Sequence, residues 1–362
     1  MKDQQIRDNE WWNRPQRLTQ SRRGHDWRQD DSVESADSDM ALASTLGLHY
    51  GISVQAYQRL RSATGVIAEN GTRYVWKPVK QRDAVTKLPE IEWLVTRLND
   101  GGVLAAGPMM TNQQHLFCRV EENRIGYLQP WLPGQHLDLR EDEERLAAIS
   151  TVSRMHAITA IPDGPALMNA EKPSVLSRPS LLVHRMVYKR QLVMRVWPQL
   201  LEQFPEWQTM SVPVMDGMAR AIESANRDRL RLASPRSWCH RDLAPHNLLW
   251  DGQRIGMIDF DLAAIDDPLG DLLQICNHAL YLGAVRDASE WFQMVHLYAV
   301  STSVSEDERS RMKGLLQFPE TLVRAITDWL HAGQPTHGTL LHHAMECEMK
   351  RQDWIRQLGQ VI

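Results

Sequence analysis

The feature that most constrains the fold of this chain is a tight hairpin signal near residue 250. Two short apolar runs, at 248–250 and 255–258, are separated by an Asp-Gly-Gln-Arg sequence that is typical of a turn between strands. Strands joined so closely must pair antiparallel, so Asp259, after the second run, returns to Asn247, before the first. The sequence therefore predicts that these two side chains can reach one cation.

A third polar residue, Asp242, lies five residues before Asn247, and Asp259 lies twelve residues after it. Phosphoryl transfer needs these residue types together, because one carboxylate accepts the proton of the substrate hydroxyl while an amide oxygen and a second carboxylate hold Mg²⁺. Asp and Asn also form ordinary turns, but a turn requires no second carboxylate at this offset after a hairpin. We therefore predict an ATP- and Mg²⁺-dependent phosphotransferase, with Asp242 as the catalytic base and Asn247 and Asp259 as metal ligands.

The same region resembles a known family. His-Arg-Asp at 240–242, Asn247, Asp-Phe-Asp at 259–261 and the segment 267–272 are similar to the motifs of the aminoglycoside phosphotransferase-like kinases, and most of all to those of the CotS-type spore coat kinases. The resemblance extends over about residues 40–350. It implies an α+β, protein-kinase-like fold of two lobes, with a small β-rich N-lobe and a larger, mainly helical C-lobe.

The resemblance also implies roles around the catalytic loop. His240 and Asp271 would support the loop, and Asp271 would do so by bonding the loop backbone. Coat-type relatives usually carry Gln or Gly where this chain has Arg241, so this position departs toward the protein-kinase form. Asp261 could add a second metal contact or only satisfy backbone donors after the strand, and we favour the second role.

The N-terminal half predicts a nucleotide-binding lobe. Lys77 ends a strand that follows a strong turn signal at 69–72, so it is the candidate for holding the α- and β-phosphates. Lys80 is the alternative, and an exposed strand-end lysine is the plain structural interpretation. Kinases of this fold usually pair the lysine with a Glu of the next helix; Glu90 and Glu92 are the candidates, and Glu92 is slightly preferred. The sequence has no Gly-x-Gly-x-x-Gly phosphate loop in this lobe.

Composition along the chain predicts four segments. Residues 1–39 lack aliphatic periodicity and predict a disordered extension, although three tryptophans with interleaved arginines leave an interaction tail as an alternative. Residues 40–128 form the predicted N-lobe, 129–134 the hinge, and 135–362 the C-lobe with the catalytic loop and the acceptor pocket.

The sequence gives more specific predictions for the hinge and for the C-lobe. At the hinge, an adenine ring would bond backbone groups and stack on apolar side chains, so Gln129 and Trp131 are the candidate contacts. Apolar residues recur at helical spacing in the C-lobe, at 141–158, 180–201, 286–300, 305–332 and 337–358. The last three of these helices would build the wall of the acceptor pocket.

Composition limits the function classes. The chain has 362 residues, of which 43% are hydrophobic and 24% charged, as is usual for a globular protein. A net charge of −4 argues against nucleic-acid binding. Without a run of about twenty apolar residues or an apolar signal core, we expect a cytoplasmic protein with no membrane span. The four cysteines are too scattered for a disulfide framework or a zinc site.

These observations favour a kinase that phosphorylates a hydroxyl of a small-molecule acceptor, whose identity the sequence does not give. A protein kinase is less favoured, because no Ala-Pro-Glu segment follows Asp259 and the connection to the next helix is too short for a regulated activation loop. The CotS resemblance implies a role in the spore coat, with coat proteins as partners. The alternative is a coat-assembly module with a kinase fold that binds nucleotide poorly or not at all; the missing glycine loop and the uncertain Glu partner of Lys77 support it.

Overall fold

The computed structural model describes residues 36–60, 62–79, 82–121, 124–161, 181–227, 236–331 and 338–361. Most of the predicted N-terminal extension, and the alternative lysine Lys80, lie outside this part of the chain. The described residues form a sheet-based N-lobe followed by a mostly helical C-lobe. This arrangement confirms the predicted two-lobed α+β fold.

The N-lobe is built on a five-stranded sheet in which all neighbouring strands are antiparallel. Its strands are β1 (Val54–Arg59), β2 (Thr64–Ala68), β3 (Arg73–Pro78), β5 (Cys118–Glu121) and β6 (Arg124–Pro130). The order β1-β2-β3-β6-β5 makes β3, which carries Lys77, the central strand. The turn predicted at 69–72 joins β2 to β3.

One helix and the sheet enclose the N-lobe core. Helix α1 (Ala36–Tyr50) contributes Leu42 and Leu46 to a buried cluster that includes Trp76 of β3. Successive strand residues point to opposite faces of a sheet, so Lys77, next to Trp76, points away from this core. The pattern of β3 thereby turns Lys77 toward the C-lobe.

A second, four-stranded sheet carries the catalytic hairpin. Its strands are β4 (Leu104–Ala105), β7 (Gln135–His136), β9 (Leu248–Trp250) and β10 (Ile255–Met257), in the order β4-β10-β9-β7. Strands β9 and β10 pair antiparallel, with Met257 opposite Leu248, and the amide of Ile258 donates to the carbonyl of Asn247 at 3.0 Å. The predicted hairpin is therefore confirmed.

Helices form most of the remainder and share one large buried core. They are α2 (Arg82–Val85), α3 (Leu88–Asp100), α4 (Asp142–Ile158), α5 (Leu181–Gln203), α6 (Ser211–Arg227), α7 (Leu269–Tyr281), α8 (Ala288–Ser301), α9 (Glu306–Leu315), α10 (Glu320–His331) and α11 (Gly338–Val361). The single helix predicted over 305–332 is wrong: it is divided into α9 and α10, because Pro319 lacks the N–H that a continuous helix needs. Among the described residues, no helix is long and apolar enough to cross a membrane.

Candidate active site

One buried carboxylate holds the backbone of the catalytic loop. This loop follows β8 (Ser237–Cys239), which pairs with β11 (Ala264–Asp266). Asp271, in the first turn of α7, is 1% exposed. Its two oxygens accept from the amides of His240 at 2.7 Å and Arg241 at 2.9 Å. The contact with the loop backbone that we expected of Asp271 is therefore present.

Buried side chains of two further helices form a chain of hydrogen bonds that ends at Asp271. Nε2 of His156, on α4, lies 3.1 Å from Asp271, and its Nδ1 lies 2.8 Å from the hydroxyl of Tyr298, on α8. Burial by itself would raise the pKa of Asp271, but the hydrogen bond from His156 and the donors around it lower that pKa. Cys239 lies close enough to His156 and Asp271 to suggest a metal cluster. Since both ring nitrogens of His156 and both oxygens of Asp271 are already hydrogen-bonded, we assign this group to loop support.

His240 links the catalytic loop to the hairpin. Its side chain is fully buried, and Nε2 donates to the carbonyl of Ile258 at 2.9 Å. Its ring also packs on that of Phe260, with 4.8 Å between the ring centres. Ile258 and Phe260 are the two neighbours of Asp259, so His240 fixes the backbone on both sides of that carboxylate.

Asp242 and Asn247 face each other within the loop. Nδ2 of Asn247 donates to the carbonyl of Asp242 at 2.8 Å and to its carboxylate at 3.2 Å. Because the amide nitrogen is directed at Asp242, the amide oxygen is the atom of Asn247 that can coordinate a metal. Together with the carboxylate of Asp259, it forms the oxygen donor set that suits Mg²⁺.

Lys77 crosses from the N-lobe sheet to the hairpin. Its Nζ lies 3.0 Å from a carboxylate oxygen of Asp259 and 3.0 Å from one of Asp261. The hydroxyl of Tyr127 donates to that same oxygen of Asp261 at 3.1 Å. The structure thus brings Lys77 to the predicted metal ligand Asp259, although the two are distant in sequence.

The charges of this cluster explain its pKa shifts. Burial by itself would lower the pKa of Lys77, but the oxygen of Tyr127 and the carboxylates of Asp261 and Asp259 keep that pKa above its usual range. Burial would likewise raise the pKa of Asp259, yet the ammonium of Lys77 lowers it. One ammonium here faces two carboxylates, so the cluster has a negative charge that a bound cation can balance.

Two residues beside these groups have strained backbones. Arg241 has a φ of 66° and Asp259 a φ of 67°, in the left-handed region that glycine adopts most easily. This conformation costs a residue with a Cβ about 1–2 kcal/mol. Such strain persists where the surrounding structure fixes the backbone, as Asp271 does at Arg241 and His240 does around Asp259.

The structure does not bring the predicted Glu partners to Lys77. Among the described residues, the ion pairs of Lys77 are those with Asp259 and Asp261. The carboxylate of Glu92 accepts from the hydroxyl of Thr96 on its own helix, and Glu90 is exposed. The pairing of Lys77 with Glu92 is not seen in the described part of the chain and stays a prediction.

The hinge candidates lie at the end of β6. Gln129 is buried in the sheet, and the ring of Trp131 packs so closely on Gly65 of β2 that a Cβ there would lie 2.4 Å from it. Leu132, the next residue, belongs to a small apolar cluster with Leu249 of the hairpin. The hinge thus adjoins apolar surface beside the catalytic groups, while the adenine contacts of Gln129 and Trp131 stay predictions.

Sequence reasoning missed two residues and misjudged a third. The pairing of β3 with β6 places Tyr127 directly opposite Lys77, which only the strand register could have revealed. Gln274 accepts from the amide of Leu243 at 2.9 Å, and its spacing of three from Asp271 on one helix was an available signal. Asp261, expected to satisfy backbone donors, instead contacts Lys77 and Tyr127.

Comparisons with known proteins agree with this geometry. Residues 51–315, more than half of the chain, match the profile of the phosphotransferase enzyme family. An aminoglycoside phosphotransferase from Alicyclobacillus acidocaldarius has a similar structure, with a TM-score of 0.68 and 17% identity over 88% of this chain and 95% of that one. No curated protein matches the chain significantly.

Two further solved structures are similar and contain nucleotides. A spectinomycin phosphotransferase in complex with ADP and spectinomycin has a TM-score of 0.59 and 14% identity over 89% of this chain and 98% of that one. An amicoumacin kinase in complex with AMP-PNP and Ca²⁺ has a TM-score of 0.56 and 13% identity over 89% of this chain and 97% of that one. At these identities the structures show the protein-kinase-like fold, and the family is shown by the profile. The chain belongs to the phosphotransferase enzyme family.

Proposed function

We propose that this protein is a kinase that transfers the γ-phosphoryl group of ATP, with Mg²⁺, to a hydroxyl of a small-molecule acceptor. The observation that carries the proposal is the contact of Lys77 with Asp259. It joins a lysine of the N-lobe sheet to the hairpin that also holds Asn247, beside Asp242. The nucleotides bound to the similar spectinomycin phosphotransferase and amicoumacin kinase support ATP as the phosphate donor.

Each polar residue of the site has a proposed role. Asp242 orients the acceptor hydroxyl and accepts its proton, since its carboxylate is fixed by Asn247 on a loop that Asp271 supports. Asn247 and Asp259 supply oxygen ligands for Mg²⁺, which when bound neutralises charge on the triphosphate. Lys77 holds the α- and β-phosphates as a fixed positive charge.

The proposed nucleotide site lies between the two lobes. The N-lobe (40–128) contributes Lys77, the C-lobe (135–362) contributes the catalytic groups, and the hinge (129–134) receives the adenine. The apolar cluster of Leu132 and Leu249 supports this placement, because a base can stack on such a surface.

Thermal unfolding with and without ATP and Mg²⁺ tests the nucleotide site. A ligand that binds only the folded protein stabilises it, by about 2.7 kcal/mol at a concentration of 100 times its Kd. We expect a Mg²⁺-dependent rise in Tm for the wild type that is lost in Asp259→Asn, a replacement that tolerates the left-handed backbone. The exposed carboxylate of Asp353 provides the matched control, and Asp353→Asn should retain the full rise.

Phosphoryl transfer is tested separately with Asp242→Asn. This variant should keep the nucleotide-dependent rise in Tm but lose release of ADP, because Asp242 acts on the acceptor rather than on ATP. No nucleotide-dependent rise in the wild type would contradict the kinase assignment and favour the alternative of an assembly module without nucleotide binding.

The similarity of residues 240–272 to CotS-type kinases supports a further proposal, that the protein works in the cytoplasm of a sporulating bacterium or in the spore coat, with coat proteins as partners. Fractionation of purified spores, with detection of the protein in the coat extract, tests this proposal. Its absence from coat extracts at every stage of sporulation would contradict the coat location and leave the cytoplasm.

A further inference from the structure

A small cavity lies beside the catalytic loop, between α5, α7 and the start of α10. Its charged lining consists of Arg185 and Lys189 from α5, Arg241 from the loop and Glu320 from α10. The cavity measures about 30 Å³. That volume accommodates roughly two to three oxygen-sized atoms, as in a carboxylate or one face of a phosphate.

The lining of the cavity includes residues linked to both chain neighbours of the proposed catalytic base, Asp242. Arg241, in its lining, immediately precedes Asp242 in the chain. Gln274, also in the lining, accepts from the amide of Leu243, which immediately follows Asp242. Asp242 itself is not in the lining, so a molecule bound in this cavity would have to extend along the catalytic loop to present a hydroxyl to Asp242.

Among the described residues, positive charge exceeds negative charge around the cavity. Lys189 pairs with Glu320, and the buried carboxylate of Asp266 lies 3.3 Å from Arg185 and 3.7 Å from Arg241. In this part of the chain, three cations thus face two carboxylates. In agreement, burial and the neighbouring Arg185 lower the pKa of Arg241, as they also do for Lys189, although the nearby carboxylates act in the opposite direction.

Two buried N–H groups of these arginines lack a hydrogen bond to any described residue. Within the described part of the chain, Nη1 of Arg185 has no hydrogen-bond partner, and Nε of Arg241 has only its 3.7 Å ion pair with Asp266, which is too long for a hydrogen bond. Folded proteins rarely leave buried donors unsatisfied, so such donors point to an absent group that can accept from them. An oxyanion satisfies both the donors and the excess charge, and the planar guanidinium is well suited to binding one.

We propose that the acceptor carries an oxyanion, a carboxylate or a phosphate, that binds in this cavity between Arg185 and Arg241. The inference rests on the proposed kinase function, because the bound anion is part of a substrate only if the same molecule presents its hydroxyl to Asp242. It selects hydroxy compounds with an acidic group and rejects polycationic aminoglycosides, since a positive ligand would be repelled here.

Titration with sulfate at constant ionic strength tests the site, with chloride as the reference anion. Saturating AMP-PNP and Mg²⁺ are present throughout, so that Lys77 is already occupied by nucleotide. We expect saturable sulfate binding by calorimetry, weakened at least tenfold in Arg185→Gln. Arg195→Gln, which removes an exposed cation from the same helix, is the matched control and should bind sulfate as the wild type does.

A second variant leaves every charge in place, so that the anion site can still be tested if Arg185→Gln fails to fold. Gly270, within α7, lines the cavity, and a Cβ there would lie 3.6 Å from Nη2 of Arg185 and 3.3 Å from Leu182. Gly270→Ala favours the helix and narrows the cavity, so it should weaken sulfate binding without unfolding the protein. Acetate and phosphate titrations then distinguish a carboxylate site from a phosphate site.

The outcomes separate this inference from the proposed function. Equal sulfate binding in the wild type, Arg185→Gln and Gly270→Ala, or none in the wild type, would overturn the anion site even if ATP and Mg²⁺ still raise the Tm. Phosphorylation of spectinomycin, a probe that carries amines, would also overturn it. Absence of the nucleotide-dependent rise in Tm would instead contradict the kinase function, whatever sulfate does.

Discussion

Among residues that do not contact ATP in the proposed site, Asp271 should be one whose replacement by alanine lowers the free energy of unfolding most. The carboxylate is 1% exposed and accepts from the amides of His240 at 2.7 Å and Arg241 at 2.9 Å, and from His156 at 3.1 Å. Alanine removes all three acceptor contacts at once. The two amides are fixed in the loop backbone, so they cannot turn toward another acceptor.

The magnitude follows from these contacts. A buried donor left without an acceptor costs about 1–3 kcal/mol, so the two amides together give roughly 2–6 kcal/mol. We expect a loss of about 3–5 kcal/mol in the free energy of unfolding, a large effect for one substitution. The control is Asp353→Ala, which breaks an exposed pair with Arg356 and should cost less than about 0.5 kcal/mol.

Urea unfolding at pH 7, followed by tryptophan fluorescence and far-UV circular dichroism, measures both losses from the shift in midpoint at unchanged slope. A loss below about 1 kcal/mol for Asp271→Ala, or one equal to that of Asp353→Ala, would refute the reasoning that this carboxylate holds the loop.

The ion pairs of Lys77, the hydrogen bond of Tyr127 and the titration of Asp271 can each be tested. Lys77→Met should strengthen binding of Mg²⁺ alone, because Asp259 and Asp261 lose their counter-ion, and should weaken binding of ATP; calorimetry with each ligand would show both, and unchanged Mg²⁺ affinity would contradict the charge argument. Tyr127→Phe removes one partly buried hydrogen bond to Asp261 and should cost about 0.5–1.5 kcal/mol in urea unfolding, with no change for an exposed Tyr188→Phe control. The folded pKa of Asp271 is lowered, so its contribution to stability is present above its unfolded pKa of about 4 and is lost as pH falls through the lower folded value. The stability gap between the wild type and Asp271→Ala should therefore narrow below about pH 4, and a constant gap would be the contrary result.

The parts of the site that sequence predicts are those assembled by short-range structure. A turn at 251–254 forces two strands to pair, and the pairing alone returns Asp259 toward Asn247. The contact of Asp271 with the loop was implied by family resemblance. In the structure, the short strand β11 and helix α7 place Asp271 beside the loop. For the hairpin residues, local hydrogen-bonding rules leave few alternative arrangements.

The remaining contacts depend on long-range packing. Lys77 meets Asp261 only because the N-lobe sheet is placed over the hairpin, and Tyr127 joins them through a strand register that no turn specifies. The proposed anion cavity draws its lining from two helices, the catalytic loop and the start of a further helix, so no contiguous motif marks it. The helical spacing of apolar residues likewise continues across Pro319, although the segment is divided there into α9, which ends at Leu315, and α10, which begins at Glu320.

The left-handed backbone at Arg241 lowers the stability of the fold, whereas its side chain contributes to the proposed binding of the acceptor. Glycine would adopt a φ of 66° without the roughly 1–2 kcal/mol that a Cβ costs, whereas the arginine side chain gains one long contact with the carbonyl of Leu262 at 3.3 Å and a loose pairing with Asp266. Engineering this protein for heat resistance would therefore favour glycine at this position. The same substitution would remove a guanidinium from the cavity. Thermostable variants with glycine at this position should therefore have a broadened or altered acceptor preference.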